Sequence, residues 1–382
     1  MATSTALAGQ AFRSTARDTA KLAGGWVVGG DPETALAGVS TDSRTVAKGN
    51  LFVALAGDAF DGHAYVAKAA AGGAAAAMVL ASKADALKSA GLPLITVDDT
   101  LVALGKLGRA HRDAIRAPFV GITGSAGKST AKEMTAAVLS FGGRSVLKTE
   151  GNLNNRIGVP LTVMSATPEH AACVIEMGIS FPDEMPELVK IAKPDVRVVL
   201  NAGSSHLEFL KSHEGVAKEK ARIWDDRRQD DWMIFNADDA LVTREADRRV
   251  VENRLSFGKN GADVRITEVK VTGFGESAVG LQLRGKPVTV RLKIFGTHHA
   301  INAAAAAAVG VALDVPNEEI VAGLERRFVP MPGRGDIRQL EGGVALVDDS
   351  YNSNPTSAIA ALYAITATCG AGRKRVLAAL GD

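Results

Sequence analysis

The sequence predicts an α/β protein built around a parallel sheet. Three observations carry this. Short apolar runs alternate with helical stretches as far as Asn236, a glycine-rich turn stands between a buried strand and a helix at Thr123–Ser129, and a strict period of two appears only around Asp263–Phe295. Strands alternating with helices of this length call for a parallel sheet covered on both faces. A period of two marks half-buried β structure, here an antiparallel addition.

Taken in order, the first region runs to Arg116, with β-like runs at Leu51–Leu55, Ala76–Leu80 and Leu94–Val97 and helical stretches at Ala64–Ala71 and Thr100–Arg112. A second region opens at Pro118. It holds a buried strand (Phe119–Ile122), a helix from Ser129 to Phe141, then Ala171–Met177, Glu184–Ala192, Val196–Leu200, Gly215–Trp224 and Trp232–Asn236. Val288, Val290, Leu292 and Ile294 alternate with Thr289, Arg291 and Lys293, and two helices follow at His299–Leu313 and Asn317–Arg327. Asn317 before Glu318 and Glu319 is a helix-start signal. After the linker Pro330–Gly333 come a strand (Val344–Val347), a helix (Pro355–Thr368) and a strand (Arg375–Leu380). Residues 1–116, 117–329 and 330–382 therefore read as three domains, in line with roughly 100–200 residues per domain. The last, at about 50 residues, is small for a complete α/β domain and is expected to be cut short.

Composition excludes several classes. Of the 382 residues, 46% are apolar and 23% charged, and the net charge is +2. These are values of an ordinary soluble protein, with no broad electrostatic footprint for nucleic acid. Cys173 and Cys369 are the two cysteines. They supply neither a disulfide framework nor zinc spacing, which fits a reducing cytoplasm. The longest apolar runs, Ala69–Ala81 and Ala303–Leu313, fall short of the ~20 residues that a membrane span needs. The start, with Arg13, Arg17 and Lys21 among many Ser, Thr and Ala, reads as a loosely ordered lead into a first helix rather than a transit peptide.

The run Thr123-Gly124-Ser125-Ala126-Gly127-Lys128-Ser129-Thr130 follows a strand and opens a helix, the context that a phosphate loop requires. Glycines let backbone N–H groups turn toward an anion, and the helix N-terminus adds its dipole and its spare donors. Lys128 suits β- and γ-phosphates and Ser129 suits Mg²⁺. The full Walker pattern wants a further glycine where Ile122 stands, so this is the shorter G-x-x-G-K-S form.

With that loop in place, the chain resembles the Mur ligase family over nearly its whole length. The resemblance runs through Ser40-Thr41-Asp42-Ser43-Arg44, Asp61-Gly62-His63, the loop with Lys132-Glu133-Met134, Gly151-Asn152-Leu153-Asn154-Asn155, Ile157-Gly158-Val159-Pro160 and Glu176-Met177-Gly178. It continues in Ser205-His206-Leu207-Glu208, Val216–Lys220, His298–Asn302, Pro332-Gly333-Arg334 and Asp348–Pro355. Within the family, Asp349-Ser350-Tyr351-Asn352-Ser353-Asn354-Pro355 is similar to the members that add D-alanyl-D-alanine. The resemblance implies a three-domain architecture: a small α/β N-terminal domain that binds the UDP substrate, a central parallel-sheet ATPase domain, and a Rossmann-like C-terminal domain, here truncated. It implies a cytoplasmic, monomeric, ATP-dependent ligase of peptidoglycan synthesis, serving cell shape and division. The substrates implied are UDP-N-acetylmuramoyl-tripeptide and D-alanyl-D-alanine.

An amide does not form from a carboxylate and an amine without activation, because oxygen is a poor leaving group. In the family ATP converts the carboxylate to an acyl phosphate, which the amine then attacks, and catalysis is largely positioning and charge neutralisation. The resemblance assigns Lys128, His206 and Lys220 to catalysis. It assigns two Mg²⁺ ions to Ser129, Glu176, His206 and a CO₂-carbamylated Lys220. Nucleotide contacts fall to Gly124, Ser125, Ala126, Gly127, Lys128, Ser129, Thr130, Asn302, Arg334, Asp349 and Asn352, and substrate contacts to Ser43, Arg44, Asp61, Gly62, His63, Asn152, Asn154 and Asn155. From residue chemistry alone, a strand-end Glu176 beside a phosphate loop suits a cation, and Arg44 has the fork for a pyrophosphate. The stretch around Lys220, read without the resemblance, is a charged, solvated helix face, and Asn152 in the asparagine run reads equally as turn capping. Thr297 and Arg156 stand where relatives often carry an arginine and an acidic residue. The rival readings are another Mur ligase, a folylpolyglutamate-type amide ligase, and a catalytically incomplete nucleotide-binding fragment.

Overall fold

The computed structural model describes residues 9–57, 60–203, 207–351, 358–359, 361–365 and 376–381. The chain divides into two compact units. One collects the residues up to Gly121 with Ser145–Ile179 and Asp183–Asp195, and the other collects Ile122–Arg144, Ser180–Pro182 and the residues from Val196 onward.

In the first unit, five strands form one sheet: β1 (Trp26–Val28), β2 (Val39–Ser40), β3 (Leu51–Val53), β4 (Ala76–Leu80) and β5 (Leu94–Val97), in the order β1-β5-β4-β3-β2. All neighbours are parallel except β1, which runs antiparallel to β5. Side chains alternate between faces along a strand, and here both faces are buried. Leu51, Val53, Met78, Ile95 and Val97 join one core with helices α1 (Ala16–Ala23) and α2 (Thr100–Ala114), while Phe52, Ala77, Val79 and Leu94 join another with Val66 and Ala69. Continuous apolar runs, rather than alternating ones, follow from this two-sided burial. Helix α2 starts where the Asp99 carboxylate accepts the Leu101 and Val102 N–H groups, an N-cap.

Strand β6 (Phe119–Thr123) begins in the first unit and ends in the second. Within the first unit it is preceded in sheet order by β7 (Val146–Lys148) and β8 (Ala172–Glu176), which are parallel. Arg112 pins its start. The guanidinium donates to the Ala192 and Ile115 carbonyls and, at 2.8 Å, to the Asp195 carboxylate, which also accepts the Phe119 N–H.

The second unit holds, in sheet order, β9 (Val196–Val199), β10 (Trp232–Asn236), β11 (Arg254–Gly258), β12 (Val264–Gly273), β13 (Glu276–Leu283) and β14 (Lys286–Leu292). Pairing is parallel from β9 to β12 and antiparallel from β12 to β14. The helices are α3 (Lys128–Leu139), α4 (His213–Ala221), α5 (His299–Ala312) and α6 (Asn317–Arg326). The alanine run of α5 is buried nearly throughout, and α5 and α6 both pack on α3. Their approach is close: a Cβ on Gly323 would stand 2.7 Å from Val138 Cα, and one on Gly310 would stand 3.0 Å from Val138 Cγ1. Last comes a hairpin of β15 (Asp336–Gln339) and β16 (Ala345–Asp348).

Of the helix expected over Pro355–Thr368, the described residues 358–359 and 361–365 are helical. The strand expected over Arg375–Leu380 is a correction: residues 376–381 are not strand, and Val376, Leu377 and Leu380 are exposed. A strand exists only through pairing, and none of the described strands pairs with this stretch. The first helix expected after the opening residues is α1, while the short helix Gly158–Val163, strand β11 and the helix Ala240–Asp247 were not anticipated from the sequence. No helix among the described residues is long and apolar enough to cross a membrane.

Because Gly323 faces the backbone of α3, Gly323→Ala is expected to lower unfolding stability by about 1–3 kcal/mol through overpacking. Gly57→Ala, with open space around it, is expected to stay within about 0.5 kcal/mol of the parent. Urea denaturation midpoints measure both.

Candidate active site

The turn between β6 and α3 is built by its glycines. Gly127, at φ +81°, takes the left-handed conformation that a side chain resists, and a Cβ there would lie 2.5 Å from Asn302 Oδ1. A Cβ on Gly124 would lie 2.9 Å from Leu200 Cβ. Lys128 and Ser129 then open α3, with Ser129, Thr130 and Lys132 buried. Helix α3 has no side-chain cap at its start, so its opening amides and its dipole address whatever sits at that end. The Lys128 ammonium donates to the Gly124 carbonyl at 2.9 Å, which keeps the charge folded over the loop.

Around this turn the second unit gathers further groups. Asn302, on the first turn of α5, is buried. Its Nδ2 donates to His299 Nδ1 at 3.2 Å and its Oδ1 faces Gly127. Burial holds the His299 imidazole neutral, with His298 and Arg334 acting in the same direction. Lys220, near the end of α4, is 1% exposed. Burial pushes its ammonium well below the usual lysine range, the Lys128 cation pushes the same way, and Glu219 opposes them. Lys220 therefore lies off the solvated face that charge patterning alone suggests, while Lys218 occupies that face. Arg334 stacks its guanidinium 4.3 Å above the Tyr351 ring, and its Nε is buried with no partner. Asp349 lies beside it on the surface and takes the Gly335 N–H. His206 and Asn352 lie outside the described residues.

The first unit holds the other predicted residues. Glu176 ends β8 with its carboxylate buried; Oε1 accepts from Asn154 Nδ2 at 2.8 Å, while Oε2 is buried with no partner. Asn155 does what a turn asparagine ordinarily does, accepting the Ile157 and Gly158 N–H groups, and Asn152 is exposed. Arg44 is exposed and its fork grips Asp42, with Nη2 2.7 Å from Oδ2. Ser43 stands in the same turn. The Asp61 carboxylate is bound by Lys83 and by His63 Nδ1, which hold it well below the usual range. His63 is buried and its Nε2 accepts the Leu80 N–H at 2.9 Å, so the Asp61-Gly62-His63 turn is tied to the end of β4.

Sequence comparison agrees with this geometry. Residues 122–310 match the Mur ligase middle domain, and residues 35–112 match the Mur ligase family catalytic domain. UDP-N-acetylmuramoyl-tripeptide–D-alanyl-D-alanine ligase of Escherichia coli (strain K12) is 38% identical over 329 residues, covering 86% of this chain and 71% of that protein. The Bacillus subtilis (strain 168) protein of the same name is 34% identical over 350 residues, covering 92% and 74%. The chain belongs to the Mur ligase family. Its architecture agrees. A crystal structure of MurF from Acinetobacter baumannii superposes with a TM-score of 0.84 at 32% identity, covering 93% of this chain and 77% of that one. MurF from Thermotoga maritima in complex with ADP gives 0.75 at 30%, covering 86% and 74%.

A nucleotide with Mg²⁺ fits the residues present. No three His, Cys, Asp or Glu side chains among the described residues converge into a cation cage. Mg²⁺ does not need one, since it is ordinarily held by one or two carboxylates with waters and phosphate oxygens. The orphaned buried Glu176 Oε2 is an acceptor of the required kind.

Sequence reading passed over Asn201 and Asp239. Asn201 Oδ1 accepts the Ala126 N–H, and Asp239 Oδ2 accepts the Ala202 N–H. The signal available was, for Asn201, a polar residue directly after an apolar strand run and, for Asp239, an aspartate at a helix N-cap. Gly127→Ala is expected to weaken nucleotide binding by at least about tenfold, since left-handed strain of roughly 1–2 kcal/mol adds to displacement of Asn302. Titration with a fluorescent ADP analogue measures it.

Proposed function

We propose that this chain is the ATP-dependent ligase that joins D-alanyl-D-alanine to UDP-N-acetylmuramoyl-tripeptide in cytoplasmic peptidoglycan precursor synthesis, working as a monomer. The observation that carries this is a strand–glycine loop–helix bearing Lys128 and Ser129, with a buried Lys220 whose charged form is disfavoured by burial and by the Lys128 cation. The tripeptide carboxylate attacks the γ-phosphate, giving an acyl phosphate and ADP. The D-alanyl-D-alanine amine then attacks the acyl carbon, and the tetrahedral intermediate expels phosphate.

Each residue has a part in that sequence. The loop from Gly124 to Thr130 and the start of α3 orient the β- and γ-phosphates, and Lys128 offsets the charge that moves between them. Asn302, with its amide oriented by His299, holds the adenine. Arg334, Asp349 and Asn352 hold the ribose and phosphates. Ser129 and Glu176, with His206 and the Lys220 carbamate, are the residues that would hold two Mg²⁺ ions. Bound there, the metal would neutralise phosphate charge. Ser43, Arg44, Asp61, Gly62 and His63 bind the UDP end, and Asn152, Asn154 and Asn155 the sugar and peptide. Residues 1–116 form the UDP-substrate-binding domain, residues 117–329 the ATP-binding domain and residues 330–382 the C-terminal domain.

Lys220 supports a specific chemistry. Its nitrogen lone pair adds to CO₂ and a proton leaves, which turns a cation into a carboxylate-like anion, and this needs the neutral amine that burial favours. Protein equilibrated with ¹³C-bicarbonate is expected to show a carbamate carbon signal by NMR that Lys220→Arg lacks.

Phosphate release tests the whole reading. It is expected with UDP-N-acetylmuramoyl-tripeptide and D-alanyl-D-alanine, and absent when meso-diaminopimelate or L-glutamate replaces the dipeptide. Lys128→Ala is expected to cost roughly 10²–10³ in kcat. Release with L-glutamate instead, or an unaffected Lys128→Ala, refutes it.

A further inference from the structure

We propose that Asn201 is a positioning residue for the nucleotide, clasping the phosphate loop in the shape that presents the first turn of α3. The inference rests on reading that loop as the nucleotide site, and it concerns a residue with no part in the scheme above.

Asn201 directly follows the apolar run that ends β9, and it meets the loop on both edges of one residue. Its Oδ1 accepts the Ala126 N–H at 2.9 Å and its Nδ2 donates to the Ala126 carbonyl at 3.0 Å. The backbone repeats the contact on either side. The Asn201 carbonyl accepts the Ser125 N–H at 3.1 Å, the Leu200 N–H reaches the Thr123 carbonyl at 2.9 Å, and the Gly203 N–H donates to Ser125 Oγ at 2.9 Å. A primary amide carries a donor and an acceptor in one plane, so it serves both polar groups of Ala126 as a strand neighbour would. A hydroxyl or a carboxylate of similar reach does not.

The clasp is itself braced from the next strand end. Asn236, the last residue of β10, donates through Nδ2 to the Leu200 carbonyl at 2.9 Å and accepts the Asp238 N–H. Asp239 accepts the Ala202 N–H at 2.8 Å through one oxygen, while its other oxygen caps the helix Ala240–Asp247 at Leu241 and Val242. Loop 200–203 is therefore held by side chains rooted in regular structure, and it transmits that rigidity to Ser125 and Ala126. The Ser125 and Ala126 N–H groups are turned toward Asn201, so their part is to shape the loop. Preorganised donors matter most where charge is to be met without rearrangement, and a loosened loop would lose nucleotide affinity first.

The test uses the whole chain and three readouts: affinity for a fluorescent ADP analogue with Mg²⁺, separate KM values for ATP and for D-alanyl-D-alanine, and Tm. Asn201→Ala is expected to raise the nucleotide Kd and the ATP KM about tenfold, the loss of a half-buried hydrogen-bonded pair, while the D-alanyl-D-alanine KM stays within about twofold. At saturating ATP, kcat is expected to recover to within about threefold, as a loss of ground-state holding predicts. Asn201→Asp, which is isosteric, keeps the acceptor for the Ala126 N–H but cannot donate to the Ala126 carbonyl. It is expected to hold Tm nearer the parent and still lose nucleotide affinity, and it stands in where the alanine variant does not fold. Folded variants that bind nucleotide as tightly as the parent, or that shift both KM values together, overturn the proposal. A parent chain with no nucleotide affinity overturns the reading of the loop, and the inference with it; that outcome is distinct from a parent that binds and variants that match it.

Discussion

Helix α3 is useful only if its first turn stays still, and its stillness comes from how closely other helices lie against it. Gly310 on α5 and Gly323 on α6 both face Val138, and neither position has room for an unaccommodated methyl. The alanines of α5 bury a helix that carries almost no side-chain bulk. Such close contact gains dispersion energy at nearly every backbone atom and costs little side-chain entropy, because alanine and glycine have none to lose. The anion-facing end of α3 is thus held by the least elaborate residues of the chain.

Electrostatics at the site follow from the same packing. Lys220 and His299 are both buried in the second unit. Burial penalises charge, and the Lys128 cation adds to the penalty at Lys220. A lysine in a helix with Lys218, Glu219 and Arg222 nearby would be an exposed, protonated surface residue in most contexts. Here the turn of α4 places Lys218 outward and Lys220 inward, which reverses the chemistry available to the second amine. Contrast Cys173, whose thiol is pushed up to about 12 by burial: desolvation without a role for the neutral form leaves an inert core residue.

Much of this was legible in the residues. Strands such as Ala76–Leu80 and Leu94–Val97 were readable because two-sided burial makes them short, continuous and apolar, and the phosphate loop because Gly, Lys and Ser stand in fixed order between a strand and a helix. The antiparallel strands from Val264 to Leu292 showed through their alternation. The helix Ala240–Asp247 was missed, since its short amphipathic run differs little from polar loop. The strand expected at Arg375–Leu380 was wrong for the opposite reason: apolar composition was present, but pairing, which lies outside the segment, was not.

What the sequence determined by itself is the inventory: an α/β chain of the Mur ligase family, a loop able to bend around phosphate, and the side chains set near it. Those are properties of local order and residue chemistry. Only tertiary structure decided that Asn201 clasps Ala126, that Asn155 accepts the Ile157 and Gly158 N–H groups while Asn154 meets Glu176, and that Lys220 is buried where its charge is disfavoured. Each depends on which distant strand end or helix face comes within 3 Å or so, the reach of a hydrogen bond. Nothing in the spacing of residues along the chain encodes that distance directly.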